Sequence, residues 1–424
     1  MKIAVIGGGW AGLAAAVRGT EAGHAVTLFE MAAQLGGRAR TVAMKDGLVD
    51  NGQHILIGAY SRTLALMATV GCDANAVLDR RPLELRYPDG RGLRMPTGPA
   101  WLGFGWAVAT CHGWQTKDRA ALIAAAARWA WGRFRCPPTM TVDALCQGLT
   151  PAVRELLIDP LCVAALNTPA DQASGQVFLR VLADALFGGN GSADLLLPRR
   201  PLGELLPAPA QRWLARQGAQ VRLSARVHAL AKFAAGWKVD DEPFDCVVLA
   251  CSAAEAARLA QDHAPQWAAV AGRLCYEPIV TVYLQCKGAT LPAPMTALVE
   301  SPAAPAQFAF DHGALGATPG RFAFVISGAS AWLARGQAEM IEAVLGQARL
   351  ALRPAGQAPD PKQVQVLAEK RATFACTPGL RRPPALCQPG LFAAGDYIEG
   401  PYPATLEGAV RSGENAVRLA PNAA

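Results

Sequence analysis

The sequence predicts an α/β fold, α+β overall, with an inserted second domain, and three observations lead to this prediction. A short apolar run at 3–6 leads directly into the glycine-rich turn 7–12 (GGGWAG). A second apolar run, 25–29, ends on Glu30, which lies 18 residues after the last glycine of that turn. Near the other end of the chain, 390–396 (GLFAAGD) is typical of a buried strand that ends in a Gly-Asp turn. A strand, a glycine turn, a helix and an acid about 20 residues further on form the pattern of a Rossmann-like dinucleotide-binding unit.

The spaced glycines of the first turn have different predicted roles. Gly7 permits the tight turn, Gly9 lets the backbone approach a phosphate group, and Gly12 lets the helix lie close to the strand. Trp10 and Ala11 lie at the start of that helix, where free N–H groups and a partial positive charge favour anions. The turn is therefore predicted to bind a pyrophosphate.

The acid and the segment after it indicate which dinucleotide binds. A carboxylate at Glu30 suits a ribose hydroxyl and disfavours a 2′-phosphate, which argues against NADP. The segment 34–41 (QLGGRART) then brings Gly36, Gly37 and Arg38. NAD dehydrogenases do not ordinarily carry this Gly-Gly-Arg, whereas it resembles the second signature of flavoproteins with two dinucleotide motifs. The sequence therefore favours FAD as the cofactor.

Length and composition indicate a globular protein of two intertwined domains. The chain has 424 residues, of which 52% are hydrophobic, and its 11 cysteines are scattered without a Cys-x-x-Cys or a Cys/His cluster. We therefore predict reduced thiols and no metal site. The net charge of +7 suits either an anionic membrane surface or a generally basic solvated surface. The sequence has no basic run with interleaved aromatic residues, so it does not indicate a nucleic-acid partner.

Three separated segments, 1–75, 200–260 and 385–424, are predicted to form the FAD-binding domain. Short strand-like runs in the middle segment and a helical stretch in the last one support this division. These elements are expected at 221–227, 236–239, 244–250 and 406–418.

The inserts 76–199 and 261–384 are predicted to form a substrate-binding domain. The first begins with an expected hairpin at 85–95, whose Pro-Asp-Gly is a turn signal. The second supplies strand-like runs at 279–284 and 322–326. We therefore expect a mixed sheet covered by helices.

The stretch 99–135 is rich in aromatic residues and carries a helical run at 119–133. Such side chains suit a membrane interface, although they could instead line a tunnel or fill a core. No segment has the roughly 20 apolar residues that a membrane span needs, and the apolar N-terminus breaks at once into glycines, so we expect no signal peptide. The protein is expected in the cytoplasm, in peripheral contact with the inner face of the cell membrane. The candidate interface residues are Trp101, Leu102, Phe104, Trp106, Trp129 and Trp131.

Further segments narrow the family. They are 50–60 (DNGQHILIGAY), 166–169 (LNTP), 188–191 (GGNG), 194–199 (DLLLPR), 369–374 (EKRATF) and 402–413 (YPATLEGAVRSG). With them the chain resembles, nearly end to end, the amine-oxidase-like flavoproteins, which include the phytoene desaturases. Within that group it is most similar to the hydroxysqualene dehydroxylases, formerly called squalene-associated FAD-dependent desaturases.

The resemblance implies how the cofactor is held. Glu30 would bind the adenosine ribose, Val227 would place its backbone against the adenine, and Asp396 would bind the diphosphate and ribitol. A helix that begins near Leu406 would direct its N-terminus at the isoalloxazine N1 and O2. The implied contacts are Gly7, Gly9, Trp10, Ala11, Gly12, Glu30, Gly36, Gly37, Arg38, Gln53, His54, Val227, Gly395, Asp396, Leu406, Glu407 and Ala409.

The resemblance also implies a reaction, the reductive dehydroxylation of hydroxysqualene to squalene in squalene and hopanoid biosynthesis. An acid must protonate the departing hydroxyl, and the allylic cation then accepts a hydride from N5 of the reduced flavin. His54, Glu399 and Tyr402 are the candidate acids. Each has an alternative interpretation: His54 as a structural hydrogen-bond partner, Tyr402 as a wall of the pocket and Glu399 as a solvated turn residue. No second glycine fingerprint occurs, so an unidentified donor must supply the electrons.

Other functions stay open. A carotenoid-type desaturase would use the same flavin chemistry in the oxidising direction and would need no acid. A non-catalytic lipid-binding protein of the Rab GDP-dissociation-inhibitor type would share the architecture without FAD, but the intact 36–38 and 395–396 motifs argue against it. An amine oxidase is less favoured, because the predicted pocket segments offer few polar groups for an ammonium.

Overall fold

The computed structural model describes residues 1–44, 47–234, 236–354 and 358–420. Each of the four segments 1–75, 200–260, 261–384 and 385–424 therefore includes between one and four residues that lie outside the described ones. The strands are β1 (Lys2–Ile6), β2 (Ala25–Phe29), β3 (Thr41–Met44), β4 (Gly47–Asp50), β5 (Leu56–Ile57), β6 (Leu78–Arg81), β7 (Glu84–Arg86), β8 (Gly92–Arg94), β9 (Leu195–Pro198), β10 (Gln220–Arg222), β11 (Leu230–Phe233), β12 (Gly236–Val239), β13 (Glu242–Phe244), β14 (Cys246–Leu249), β15 (Tyr276–Gln285), β16 (Met295–Ala297), β17 (Phe308–Asp311), β18 (Arg321–Ile326), β19 (Lys362–Phe374), β20 (Leu386–Gln388) and β21 (Leu391–Ala393). The helices are α1 (Trp10–Glu21), α2 (Ser61–Thr69), α3 (Ala74–Val77), α4 (Ala100–Thr110), α5 (Thr116–Trp131), α6 (Val142–Leu145), α7 (Pro151–Val153), α8 (Asp159–Leu166), α9 (Gly175–Phe187), α10 (Leu202–Leu205), α11 (Pro207–Arg216), α12 (Ala253–Ala260), α13 (Pro265–Gly272), α14 (Ser330–Arg335), α15 (Gln337–Ala351) and α16 (Leu406–Leu419), with a π-helical turn, Arg154–Ile158, between α7 and α8.

A six-stranded sheet has the order β10-β2-β1-β14-β21-β20. Its strands are parallel except for β20, which pairs antiparallel with β21. Parallel strands need long crossover connections, and here these connections bring together the beginning, the middle and the end of the chain. The three segments that the sequence assigned to one domain thus meet in one sheet, and we keep their boundaries as a proposal.

Helices α1 and α16 pack against each other beside this sheet. A Cβ atom at Gly413 of α16 would lie 2.1 Å from the carbonyl oxygen of Ala11, so glycine is needed for this close approach. Leu13, Val17 and Val410 are buried in the same core. The packing fixes the N-terminus of α16 relative to that of α1.

A second, antiparallel sheet has five strands in the order β16-β17-β18-β15-β19. Successive side chains of a strand point to opposite faces. Val280 and Val282 of β15 belong to a core with Trp332 and Val344 of the helices α14 and α15. The other face of this sheet carries Ile279 and Thr281, which line a cavity described below.

The helices α4 to α9 form most of the first insert. One face of α4 is buried, whereas Trp101, Leu102 and Trp106 on its other face are each more than half exposed. Trp131 is 93% exposed, and Trp129 belongs to the core. Among the described residues, no helix is both long and apolar enough to cross a membrane.

The structure matches the predicted strand at 25–29 and the helix start at Leu406, but the strand expected at 221–227 is too long. It ends at Arg222. The chain then turns at Ser224, which has a φ of +52° and donates its N–H to the carbonyl oxygen of Ala32. A left-handed residue cannot continue a strand, so only residues 221 and 222 of the predicted run are in the strand.

Candidate functional site

One continuous cavity of about 660 Å³ reaches from the glycine turns to the helical insert. The turns at 7–9 and 36–38 and the loop around Asp396 line its polar part. Leu and Phe side chains from α4, α8, α9 and β17 line the rest. A polar half joined to an apolar half suits a charged cofactor beside an apolar ligand.

The first glycine turn has no room for side chains at two positions. Gly7 has a φ of +113°, and a Cβ atom there would lie 2.6 Å from the carbonyl oxygen of Ala250. At Gly12 a Cβ atom would lie 1.8 Å from the carbonyl oxygen of Gly7. A Cβ atom at Gly9 would meet only the Cα atom of Gly37, at 3.8 Å, so the cavity side of Gly9 is open. This is the geometry that a backbone approach to a phosphate requires.

Glu30 follows β2 and closes this turn. Its Oε2 accepts a hydrogen bond of 2.7 Å from the N–H of Gly8, and its Oε1 accepts one of 2.7 Å from the N–H of Ala32. The side chain is buried and lines the cavity. Because a carboxylate oxygen can accept two hydrogen bonds, Glu30 retains capacity for a ribose hydroxyl.

The second glycine turn rests on the first. The N–H of Gly36 donates to the carbonyl oxygen of Gly8 at 2.8 Å. A Cβ atom at Gly37 would lie 3.1 Å from the Cα atom of Gly9. Gly36 and Gly37 both have positive φ angles, +114° and +60°, which favour glycine. The two turns therefore form a single cradle.

Arg38 joins this cradle to the C-terminal motif. Its Nη2 donates to Oδ1 of Asp396 at 2.6 Å, and its Nη1 donates to the carbonyl oxygen of Ala372 at 2.7 Å. The N–H of Gly395 donates to Oγ of Ser412 on α16 at 3.1 Å. Motifs from both ends of the chain thus meet at one point of the cavity wall.

Two helix N-termini lie at the cavity. The first turn of α1 has no acidic residue, and Gly9 provides no side-chain cap. In α16 the Oγ1 of Thr405 accepts from the N–H of Gly408 at 3.0 Å, while Leu406 and Ala409 line the cavity. Both ends carry partial positive charge, which favours a negatively charged group.

Most of the predicted cofactor contacts lie at the cavity, but two do not. The side chain of Glu407 points away and is fully buried, where it accepts hydrogen bonds from Thr63 and Arg411. Gly12 does not line the cavity and serves the packing of α1 instead. The predicted residues at the wall are Gly7, Gly9, Trp10, Ala11, Glu30, Gly36, Gly37, Arg38, Gln53, His54, Val227, Gly395, Asp396, Leu406 and Ala409.

His54 lines the cavity but does not fit the role of proton donor. Its Nδ1 lies 3.2 Å from the carbonyl oxygen of Gly52, which can only accept, so Nδ1 carries the proton and Nε2 is an acceptor. Burial lowers the pKa of His54 to about 4. The ring is therefore neutral near pH 7, which favours its interpretation as a structural hydrogen-bond partner.

Tyr402 also lines the cavity, between two arginines. The guanidinium groups of Arg180 and Arg411 lie 5.6 Å and 5.2 Å from the centre of its ring. Burial and the nearby carboxylate of Asp184 raise the pKa of Tyr402, and the two arginines act in the opposite direction. Tyr402 therefore keeps its proton near neutral pH and has positive charge nearby to stabilise the anion that would form on donating it.

The position of Glu399 does not fit the predicted role of catalytic acid. Glu399 is exposed and lines a second pocket, together with Arg381 and Arg382, rather than the main cavity. Its N–H donates to the carbonyl oxygen of Pro383 at 2.9 Å, which holds the turn on that side. The alternative interpretation as a solvated turn residue fits.

Two polar links behind the cavity wall could not be predicted from the sequence. Asn51 donates from Nδ2 to the carbonyl oxygen of Arg38 at 3.0 Å and to Oε2 of Glu369 at 3.1 Å. Gln53 donates to the hydroxyl of Tyr283 at 3.0 Å, and that hydroxyl donates to the carbonyl oxygen of Asp50 at 2.8 Å. The segments 50–60 and 369–374 both contribute to the resemblance to the hydroxysqualene dehydroxylases, but the sequence alone does not show that they are in contact.

The sequence profile of the family described as flavin-containing amine oxidoreductase matches residues 10–420. The chain belongs to this family. Hydroxysqualene dehydroxylase of Sinorhizobium fredii is 28% identical over 99% of this chain and 98% of its own length. That of Rhodopseudomonas palustris is 27% identical over 98% of this chain and 97% of its own length. The resemblance to these enzymes is thus confirmed.

Structural comparison gives the same fold. An oxidoreductase from Methanosarcina mazei superposes with a TM-score of 0.75 at 16% identity, covering 99% of this chain and 100% of its own. At that identity the likeness speaks for the fold alone. It agrees with the predicted Rossmann-like architecture.

The protein is an FAD-dependent oxidoreductase, as its family and its relatives indicate. Its residues fit the cofactor: the glycine cradle leaves space that side chains would fill, and two helix N-termini line that space. The hydroxyl of Tyr397, next to Asp396, is buried at the cavity and has no hydrogen-bond partner among the described residues. Those same residues contain no cluster of three or more His, Cys, Asp or Glu side chains that could hold a metal.

Proposed function

We propose that the protein reduces hydroxysqualene, an allylic alcohol, to squalene. The near full-length similarity to hydroxysqualene dehydroxylases supports this substrate. The observation that carries the proposal is the single cavity, whose polar cradle continues into a wall of Leu and Phe side chains. A flavin and a long hydrocarbon need such a joined site.

The reaction balances with one reductant. The hydroxyl group gains a proton and leaves as water when the carbon–oxygen bond breaks, and the carbon gains a hydride, which forms a C–H bond. Reduced FAD supplies the hydride, and with it both electrons, when it is bound. Everything else required of the protein is to hold the apolar chain, place the alcohol and deliver a proton.

Tyr402 is our candidate for the proton donor. Of the three acids that the sequence suggested, His54 is neutral with an acceptor Nε2, and Glu399 lies outside the cavity. Tyr402 keeps its proton and lines the cavity, and Arg180 and Arg411 flank its ring. Positioned proton donors contribute about 10²- to 10⁴-fold to the rate.

We also propose that the enzyme takes this substrate from the inner face of the cell membrane. Phe104 of α4 lines the cavity, while Trp101 and Trp106 of the same helix are exposed. Between 95 and 140 the only acid is Asp118, which is buried, so the surface charges there are positive. They are the exposed residues Lys117, Arg128, Arg133 and Arg135. Basic groups beside exposed Trp favour an anionic bilayer.

One experiment tests the reaction. Photoreduced holoenzyme is mixed anaerobically with hydroxysqualene in detergent, and flavin absorbance and squalene are followed together. We expect one squalene for each flavin reoxidised. Flavin reoxidation without squalene would refute the proposal. Formation of a more unsaturated product from squalene or a carotenoid precursor with oxidised enzyme would favour the desaturase alternative instead. The electron donor would be sought among reductants that restore turnover.

A further inference from the structure

We infer that Thr281 binds the hydroxyl oxygen of the substrate and makes the site select the alcohol over the corresponding hydrocarbon. The inference rests on the proposed function for the identity of that alcohol. Thr281 lies on β15, which pairs with β18 and β19, and lines the cavity.

The surroundings of Thr281 are apolar. In the sheet its direct cross-strand neighbours are Val325 and Leu367. Phe308, which pairs with Val325, and Ile279, two residues before Thr281, also line the cavity. A lone hydroxyl in such a wall has no obvious packing purpose, because valine would fill the same volume without a polar atom.

The hydroxyl of Thr281 is unpaired. Thr281 is 1% exposed, and its Oγ1 forms no hydrogen bond with any of the described residues. A buried hydroxyl without a partner is unfavourable, whereas one that meets a ligand hydroxyl is not. The hydroxyl is the only polar group of the proposed substrate, so it is the ligand group that would satisfy Oγ1.

Thr281 is close along β15 to a residue that contacts the polar part of the site. Tyr283, two residues further on the same face, contacts Asp50 and Gln53 beside the cofactor cradle. Residues two apart in a strand are separated by about 7 Å. An alcohol held at Thr281 is therefore close to the polar half, while its hydrocarbon arms lie among apolar side chains. A threonine hydroxyl stays neutral, so Thr281 positions the oxygen and another group protonates it.

The test compares Thr281→Val with Thr281→Ser. Oxidised holoenzyme in detergent is titrated with hydroxysqualene and with squalene, and flavin absorbance reports binding. We expect Thr281→Val to raise the Kd of hydroxysqualene about three- to tenfold, the loss of one neutral hydrogen bond, and to leave the Kd of squalene unchanged. Thr281→Ser should bind both within about twofold of the parent protein. Equal effects on both ligands, or no effect, would overturn the inference.

Thermal unfolding without ligand gives a second readout. Removing an unpaired buried hydroxyl should leave the Tm of Thr281→Val equal to or above that of the parent protein. The matched control is Thr296→Val, because Oγ1 of Thr296 donates to the carbonyl oxygen of Ala293 at 3.0 Å. It should lower the Tm and leave ligand selectivity unchanged. A lower Tm for Thr281→Val would show that Oγ1 has a structural partner and would overturn the inference.

The two proposals can fail separately. Ligand selectivity is measured with oxidised enzyme and needs no turnover, whereas squalene formation is measured with the reduced parent protein. If the parent protein forms squalene but Thr281→Val binds hydroxysqualene and squalene with the same selectivity as the parent protein, only the inference about Thr281 is refuted. Selective binding of the alcohol without squalene formation removes only the proposed reaction.

Discussion

Arg38 and Asp396 are separated by 358 positions in the sequence and form an ion pair with 2.6 Å between Nη2 and Oδ1. Asp396 is almost completely buried, so Arg38 supplies the charge that balances it. The contact also ties the second glycine turn to the loop that precedes α16. It is the point at which the N-terminal and C-terminal parts of the cradle are joined.

Arg38→Met should weaken FAD binding at least tenfold. The substitution leaves a buried carboxylate without its partner, and breaking such a pair costs several-fold more than losing an exposed one. Titration of deflavinated protein with FAD, followed by flavin fluorescence, measures the effect. Arg349→Met, on the exposed side of α15, is the matched control and should bind FAD normally. Unchanged affinity in Arg38→Met would contradict the assigned role.

Gly12→Ala and Gly346→Ala should have opposite effects on stability. Both glycines lie in helices, but a Cβ atom at Gly12 would lie 1.8 Å from the carbonyl oxygen of Gly7, whereas one at Gly346 would have no neighbour within 4 Å. Gly346→Ala should raise the free energy of unfolding by about 0.5–1 kcal/mol. Gly12→Ala should lower it by several-fold more and reduce FAD retention. Denaturant unfolding measures both, and equal effects would argue against the close contact.

His54→Gln should reduce the loss of stability in acid. Burial lowers the pKa of His54 to about 4, so between pH 6.5 and 4 the unfolded chain binds a proton that the folded chain does not. Stability therefore rises with pH across this window and is lost as the pH falls, by up to about 3 kcal/mol for this group. His312, whose pKa burial also lowers to about 4, acts in the same direction, and Asp50, with a pKa raised to about 6, acts in the opposite one.

The measurement is the difference in free energy of unfolding between His54→Gln and the parent protein at pH 7.5 and pH 5. His312→Gln is the comparison outside the cavity and should show a change of the same sign. A His54→Gln protein that loses as much stability in acid as the parent protein would mean that the ring is protonated in the fold.

Tyr402→Phe should lower kcat by about 10²-fold or more with little change in the amount of bound FAD. The change removes the phenolic proton but retains the ring between Arg180 and Arg411. Single-turnover reoxidation of reduced enzyme by hydroxysqualene measures the step. If kcat is unaffected, Tyr402 is only a wall of the pocket and another group supplies the proton.

A double substitution, Trp101→Ser with Trp106→Ser, should reduce sedimentation with vesicles that contain anionic lipid. Both side chains are more than half exposed on α4. Turnover of detergent-solubilised substrate should stay within about twofold, because neither residue lines the cavity. Leu350→Ser, at an exposed apolar residue of α15, is the control and should not change vesicle binding. Equal loss in the control would point to general hydrophobic adsorption.

Contacts that are local in sequence could be predicted. Gly7, Gly12 and Glu30 follow from a strand, a turn and a helix within one short stretch, where spacing alone fixes geometry. Glu399 shows the limit of such reasoning. It lies only three residues after Asp396, yet the bond from its N–H to Pro383 takes it to a different pocket.

Contacts between distant segments could not be predicted from spacing. Asn51 and Glu369 are 318 positions apart, and neither local sequence predicts that the two side chains are in contact. The role of Thr281 could not be predicted either, because threonine is a common residue in β-strands. Its missing hydrogen bond is a property of the folded environment and of no local pattern.

The central sheet has a consequence for biosynthesis of the protein. Strands β1, β14 and β21 are neighbours, but they enter the sheet from the beginning, the middle and the end of the chain. A nascent polypeptide cannot close the Arg38–Asp396 contact or seat α16 on α1 until translation has passed residue 419 and the ribosome tunnel has released that helix. The coenzyme site is therefore complete only after α16 has left the ribosome, and chains that terminate before α16 would present an unfinished, apolar sheet edge to chaperones and proteases.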